Sequence, residues 1–140
     1  MITHNYYRSL HEAPPLNWSS VLASEAQKWA DQLARTDSFK HSGHKDRGEN
    51  LAFVWGSNLT PMKATEMWYD EVKEYDFSSP GFSSTTGHFT QVVWVGTEQF
   101  GMAKAVGEDG TQIMVGRYYP PGNIVGTFRE NVKPNKFGRR

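Results

Sequence analysis

The tightest constraint on the fold is an Asp-Gly pair with an apolar run on either side. Phe100 to Val106 and Gln112 to Tyr119 flank Glu108-Asp109-Gly110. That arrangement is a hairpin signal. Pro120-Pro121-Gly122-Asn123 closes the second strand. The chain must therefore supply elements that cover this sheet.

Helical spacing supplies them. Ile2 to Glu12 reads as a short helix turning Tyr6, Tyr7 and Leu10 toward a core, and Pro14-Pro15 ends it. Asn17 or Ser19 caps a second helix reaching about Thr36, with Leu22, Ala26, Trp29, Ala30 and Leu33 on one stripe. Thr60 caps a third, with Pro61 in its first position. It reaches about Tyr75, and Met67, Trp68, Glu71, Val72 and Tyr75 share one side. Gly48 to Trp55 fits a strand or a short buried helix equally well. Asp76 to Gly87 is a Ser-, Thr- and Gly-rich loop. Beyond Ile124, Val125, Phe128 and Val132 are expected to pack before the chain frays. With no repeat and no linker, we expect one α+β domain over residues 1–132 and a basic tail over 133–140.

Composition narrows the function. Formal net charge is zero over 140 residues, which argues against nucleic acid as a partner. The charge is uneven, however. Lys133, Lys136, Arg139 and Arg140 follow the last acid, Glu130, and are candidate contacts for an anionic membrane. There is no cysteine, so disulfides and thiolate metal sites are excluded. Cysteine-free composition fits a cytosolic-side location best. No segment is apolar enough to span a bilayer, no leader is evident, and Ile2 excludes myristoylation of the chain as written. Aromatic residues make up 14% of the chain, enough to fill a core and line a groove.

The candidate site is built on Gly87-His88-Phe89-Thr90-Gln91-Val92-Val93-Trp94. Phe89, Val92, Val93 and Trp94 anchor the stretch while His88 faces outward. Glu71 is an acid on an apolar helix face, where a carboxylate needs a partner. His41 follows Phe39, which can anchor it, and Glu49 precedes an apolar run. Two imidazoles and two carboxylates suit a divalent ion such as zinc. The acids would orient the rings by accepting their second N–H, or all four would do proton chemistry on a substrate. His4 and His11 read as ordinary hydrogen-bonded histidines. His44 pairs with His41 as a chelate only if helical, which Gly43 opposes.

Several stretches resemble the CAP superfamily of cysteine-rich secretory, antigen 5 and pathogenesis-related proteins. Gly87 to Thr97 is similar to its first signature and Arg117 to Ile124 to its second. Gly116 stands where secreted members often carry cysteine. Gly48-Glu49-Asn50-Leu51-Ala52 and Trp68-Tyr69-Asp70-Glu71 resemble two further motifs, and matches run from Thr3-His4-Asn5 to Glu130-Asn131-Val132. The lack of cysteine, Pro80-Gly81-Phe82 and Glu130-Asn131-Val132 resemble the Golgi-associated branch. The resemblance implies a three-layer α-β-α sandwich around a mostly antiparallel sheet. It also implies a cleft tetrad of His41, Glu49, Glu71 and His88, with His41 and His88 holding the cation.

The leading expectation is a non-enzymatic module binding lipid, sterol or anionic membrane, peripheral on the cytosolic face of the Golgi and able to form a homodimer. A secreted venom-allergen-like effector is the alternative, for which Asn17-Trp18-Ser19 and Asn58-Leu59-Thr60 are glycosylation sequons. A metal- or serine-dependent hydrolase ranks last. The serine proposed for the Golgi-associated branch falls at Trp55, with Ser57 offset from it.

Overall fold

The structure is a computed structural model and describes residues 1–138. Its sheet is built on the expected hairpin, β3 (Gln99–Val106) and β4 (Gln112–Tyr119). The turn closes with Gly110 at φ +88, and Asp109 Oδ1 accepts the Thr111 amide at 2.9 Å. Gly48–Val54 is a strand, β2, pairing antiparallel with β4. A two-residue strand, β1 (Asn17–Trp18), runs parallel to β3 and completes the order β1-β3-β4-β2. The sheet is thus mostly antiparallel, with β2 on one edge. Asn17, one of the two cap candidates, lies in this strand, and Ser19 is the cap.

One face is covered by α2 (Ser20–Thr36), capped by Ser19 Oγ on the Leu22 amide. Ala26, Ala30 and Leu33 pack on Leu51, Ile113 and Val115. Gly101 permits the close approach: a Cβ there would lie 2.2 Å from the Ala23 nitrogen. The opposite face is covered by α1 (Ile2–Leu10), α3 (Pro61–Asp70) and α4 (Gly87–Val92), with Trp68, Val72, Phe89, Val92 and Trp94 in the core. Gly116 lies beneath this layer, where a Cβ would meet the Trp68 and Phe100 rings at 3.2–3.3 Å. The short helix α5 (Phe128–Asn131) follows, with Phe128 edge-on to Trp94.

Several local expectations are corrected. The inward face of α1 is polar: His4 and Arg8 are buried, as is His11 just beyond it, while Tyr6 is exposed. Tyr7 stacks on Tyr69 at 3.8 Å. The α3 helix ends at Asp70 and tightens into a 3₁₀ turn over Glu71–Glu74, and Met67 faces outward. Phe128 and Val132 are buried as expected, but Val125 is 86% exposed.

Burying Arg8 requires partners for its guanidinium. It donates to Pro14 O, Val92 O, Trp94 O and Thr97 O at 2.8–3.1 Å. These carbonyls include the C-terminal end of α4, where a cation is favoured. The helix carrying His88 is therefore fastened to α1 from below. Thr65 Oγ1 donates to Pro61 O, so His4 Nδ1–H donates to Thr65 and His4 Nε2 accepts from the Tyr118 hydroxyl at 2.6 Å. His11 Nδ1–H donates to Lys133 O and its Nε2 accepts from Tyr69. Burial, with the N-terminal charge and Arg8 adding to it, pushes His4 down to about 3. Burial also lowers His11 and raises Tyr69 to about 12.

Candidate functional site

Successive side chains of a strand point to opposite faces, and β2 is an edge. Glu49 on one side of that edge and Asn50 on the other therefore border the same opening. The cleft has a volume of about 250 Å³, and its lining includes His41, Glu49, Asn50, Phe82, Ser84 and His88. Gly48 lets Gln91 pack against the start of β2, since a Cβ there would lie 2.0 Å from Gln91 Oε1. That oxygen accepts the Gly122 amide at 3.0 Å and holds the following loop.

The His88 half rests on α4. Phe89, Val92 and Val93 are fully buried, whereas the His88 side chain is 33% exposed, as the alternation of anchors requires. Glu71 Oε2 accepts His88 Nδ1–H at 2.7 Å. Its Oε1 accepts the amides of His88 and Phe89 at 2.9 and 3.0 Å. Asn50 Nδ2 donates to His88 O and to the Tyr118 hydroxyl, tying α4 to the sheet.

The His41 half rests on an irregular segment. Glu49 Oε1 accepts His41 Nδ1–H and the Ser42 amide, both at 2.9 Å. Phe39 packs edge-on against Phe53 of β2 at 4.7 Å. His44 is not in a helix with His41 and pairs with Asp46 at 2.6 Å. Glu49 is 8% exposed and Arg117, opposite it in register on β4, is 5% exposed. Burial raises the Glu49 carboxyl, but the bonds from His41 and Ser42 and the Arg117 charge outweigh it and hold it low.

Of the four sequence-derived residues, His41, Glu49 and His88 line the cleft and Glu71 reaches it only through His88, so they stand as two His–Glu pairs and not as a single set of four ligands. Among the described residues, no group of three or more His, Asp or Glu is placed to hold a metal. In each pair Nδ1–H is spent on the carboxylate, so Nε2 keeps a lone pair. Neither Nε2 has a hydrogen-bond partner among the described residues. Lone-pair nitrogens oriented by outer carboxylates are the donor chemistry that divalent metals take.

Sequence reasoning missed Asn50, Arg117 and Glu25. The signal for Arg117 was present: an arginine within a run of apolar strand residues needs a buried acid. Of the basic residues at the end, Lys133 offers its carbonyl to His11, and the Lys136 amide donates to Leu10 O at 2.8 Å. Lys136 Nζ sits 5.3 Å from the ring centroid of the exposed Phe137. Arg139 and Arg140 lie outside the described residues.

Comparison with known proteins agrees with this architecture. Residues 1–119 match the CAP, or cysteine-rich secretory protein, family, and the chain belongs to it. It is 46% identical over 139 residues to the Golgi-associated plant pathogenesis-related protein 1 of Homo sapiens, covering 95% of this chain and 89% of that one. It is 41% identical over 133 residues to Protein PRY2 of Saccharomyces cerevisiae, covering 94% of this chain but only 39% of PRY2. Among solved structures, NaASP2 with Zn²⁺ aligns with a TM-score of 0.75 at 23% identity, covering 98% of this chain and 85% of that one. The last likeness speaks to the fold alone. No helix among the described residues is long and apolar enough to cross a membrane.

Proposed function

We propose that this chain is a non-enzymatic CAP module whose cleft takes a divalent cation, zinc first, between His41 and His88, and that it works at a lipid or anionic membrane surface. The observation that carries the cation reading is the pair of carboxylate-held imidazoles bordering one cleft with both Nε2 lone pairs free. Two protein nitrogens leave the other positions of a tetrahedral ion open to a ligand's own oxygens. The zinc in the NaASP2 structure supports the choice of metal.

The membrane reading draws on different residues. Lys136 lies over the ring of exposed Phe137, Lys133 precedes Lys136 by three residues in the chain, and α1 presents exposed Ile2 and Tyr6. Apolar side chains interleaved with lysines suit a bilayer interface. The name of the human relative favours a Golgi-associated membrane over the secreted alternative.

Calorimetry tests the cation site. Wild type is expected to take one zinc ion per chain, and His41→Ala or His88→Ala to abolish that uptake. No heat above background with wild type removes the proposal. Co-sedimentation with phosphatidylserine vesicles tests the surface. Binding is expected to fall in a Lys133→Ala/Lys136→Ala variant, and equal binding by both proteins would remove that part of the reading.

A further inference from the structure

His41 stands on a segment with no regular structure, yet that segment is tied down at three points. Trp29 Nε1 donates to Lys40 O at 3.0 Å, and the Ser42 amide donates to Glu49 Oε1 at 2.9 Å. Arg47 grips Glu25 with Nε on Oε1 at 3.0 Å and Nη2 on Oε2 at 3.2 Å.

Behind these ties lies a chain of charges. Arg117 Nε and Nη2 both reach Glu49 Oε2 at 3.1 Å, and Nη1 reaches Glu25 Oε1 at 3.2 Å. The order is Arg47–Glu25–Arg117–Glu49–His41, two guanidiniums against two carboxylates before the imidazole. Arg117, Glu25 and Arg47 do not line the cleft. Three elements contribute: α2 gives Glu25, β2 gives Glu49 and β4 gives Arg117.

Stability alone does not account for this lattice. Ile113 and Val115 share the face of β4 with Arg117 and pack under α2 as ordinary core. An apolar residue in place of a buried ion pair is often neutral or better for stability. The lattice does one thing an apolar residue would not: it fixes the carboxylate that orients His41. A planar guanidinium holds both acids with three N–H groups in a fixed fork, whereas a lysine offers a point charge on a flexible stem and fixes neither carboxylate plane.

We infer that Glu25 and Arg117 are positioning residues for the cleft. They fix the Glu49 carboxylate and the His41 segment, and so set cation affinity without touching the ion. The affinity part rests on the two-imidazole reading above. Glu71 needs no such support, because its second oxygen is held by two amides of α4.

The test compares wild type with Arg117→Lys and Glu25→Gln. Zinc affinity is read by calorimetry. In zinc-free protein, Ser42 amide hydrogen exchange and the His41 ring tautomer are read by ¹⁵N NMR. Losing the carboxylate that holds a ligating imidazole costs about 10–100-fold. Arg117→Lys, one bond further out, is expected to weaken zinc by about 10-fold, at the low end of that range, and Glu25→Gln to weaken it less. Both variants are expected to speed Ser42 exchange and release the His41 Nδ1–H tautomer while His88 stays as in wild type. Glu25 is partly exposed, so Glu25→Gln keeps the test open if Arg117→Lys folds poorly. Unchanged zinc affinity, or unchanged Ser42 and His41 signals, overturns the inference. If wild type takes no zinc, the proposed function and the affinity part fail together. The zinc-free signals then decide separately whether Glu25 and Arg117 hold the His41 segment.

Discussion

The two halves of the cleft reach the same chemistry by opposite means. His88 stands on a helix whose neighbouring side chains are fully buried and whose far end is fastened by Arg8. His41 stands on an irregular segment, 61% exposed, and is held by charges lent from the sheet and α2. A carboxylate orients each ring, but Glu71 is fixed by amides of a packed helix and Glu49 by neighbouring charges. Perturbations of the core should therefore move His88 first, and perturbations of charge should move His41 first.

The largest separation is expected from Arg8→Met. It takes a donor from four carbonyls, of which Trp94 O keeps the Thr97 amide, at roughly 1–3 kcal/mol for each buried group left unsatisfied. We expect a loss of more than about 3 kcal/mol in urea unfolding. In the surviving folded protein, His88 resonances should shift more than those of His41. Equal shifts at both rings would break the comparison.

Next comes acid. His4 is neutral in the fold because burial lowers it from 6.5 to about 3. Its folded value lies below its unfolded value, so the unfolded chain binds more protons between the two. The stability it contributes is present above pH 6.5 and is lost as pH falls toward 3. From pH 7 to pH 5 the loss is about 2 kcal/mol, from the relation of one pKa unit to about 1.4 kcal/mol. His4→Phe should flatten that part of the pH–stability curve, and a slope equal to wild type would contradict the account. Because His4 reaches Asn50 through Tyr118, the change is again on the His88 side.

Salt should give the smallest effect and the opposite selectivity. In 1 M NaCl the screening length is about 3 Å, and exposed ion pairs are worth at most about 1 kcal/mol. The Arg47–Glu25 pair is partly exposed, so the Ser42 amide should exchange faster at high salt. The His88 and Phe89 amides, both bonded to Glu71, should not. Equal acceleration at all three would remove the distinction.

How much of this was legible in the sequence follows the same division. The β3–β4 hairpin could be read because Asp109-Gly110 is a local signal. His88 could be read because its anchors are adjacent in the chain, and Glu71 because helical spacing puts it beside Trp68 and Val72. The polar interior was not legible. His4, Arg8 and His11 are buried against backbone carbonyls and hydroxyls, and periodicity treats them as surface residues, so Tyr6 and Leu10 were expected inward in their place. The support of His41 was hidden for another reason. Glu49 meets Arg117 only once the strand register is known, and Glu25 meets both only once α2 lies on the sheet.

The most direct test of the central claim is the ring ¹⁵N spectrum of both cleft histidines, before and after zinc. In zinc-free protein, each ring should show a protonated Nδ1 and a bare Nε2. On adding one equivalent of zinc, the two Nε2 signals should shift together, with Nδ1–H kept in both. A single shifting ring, or metal attack at Nδ1, would contradict the account.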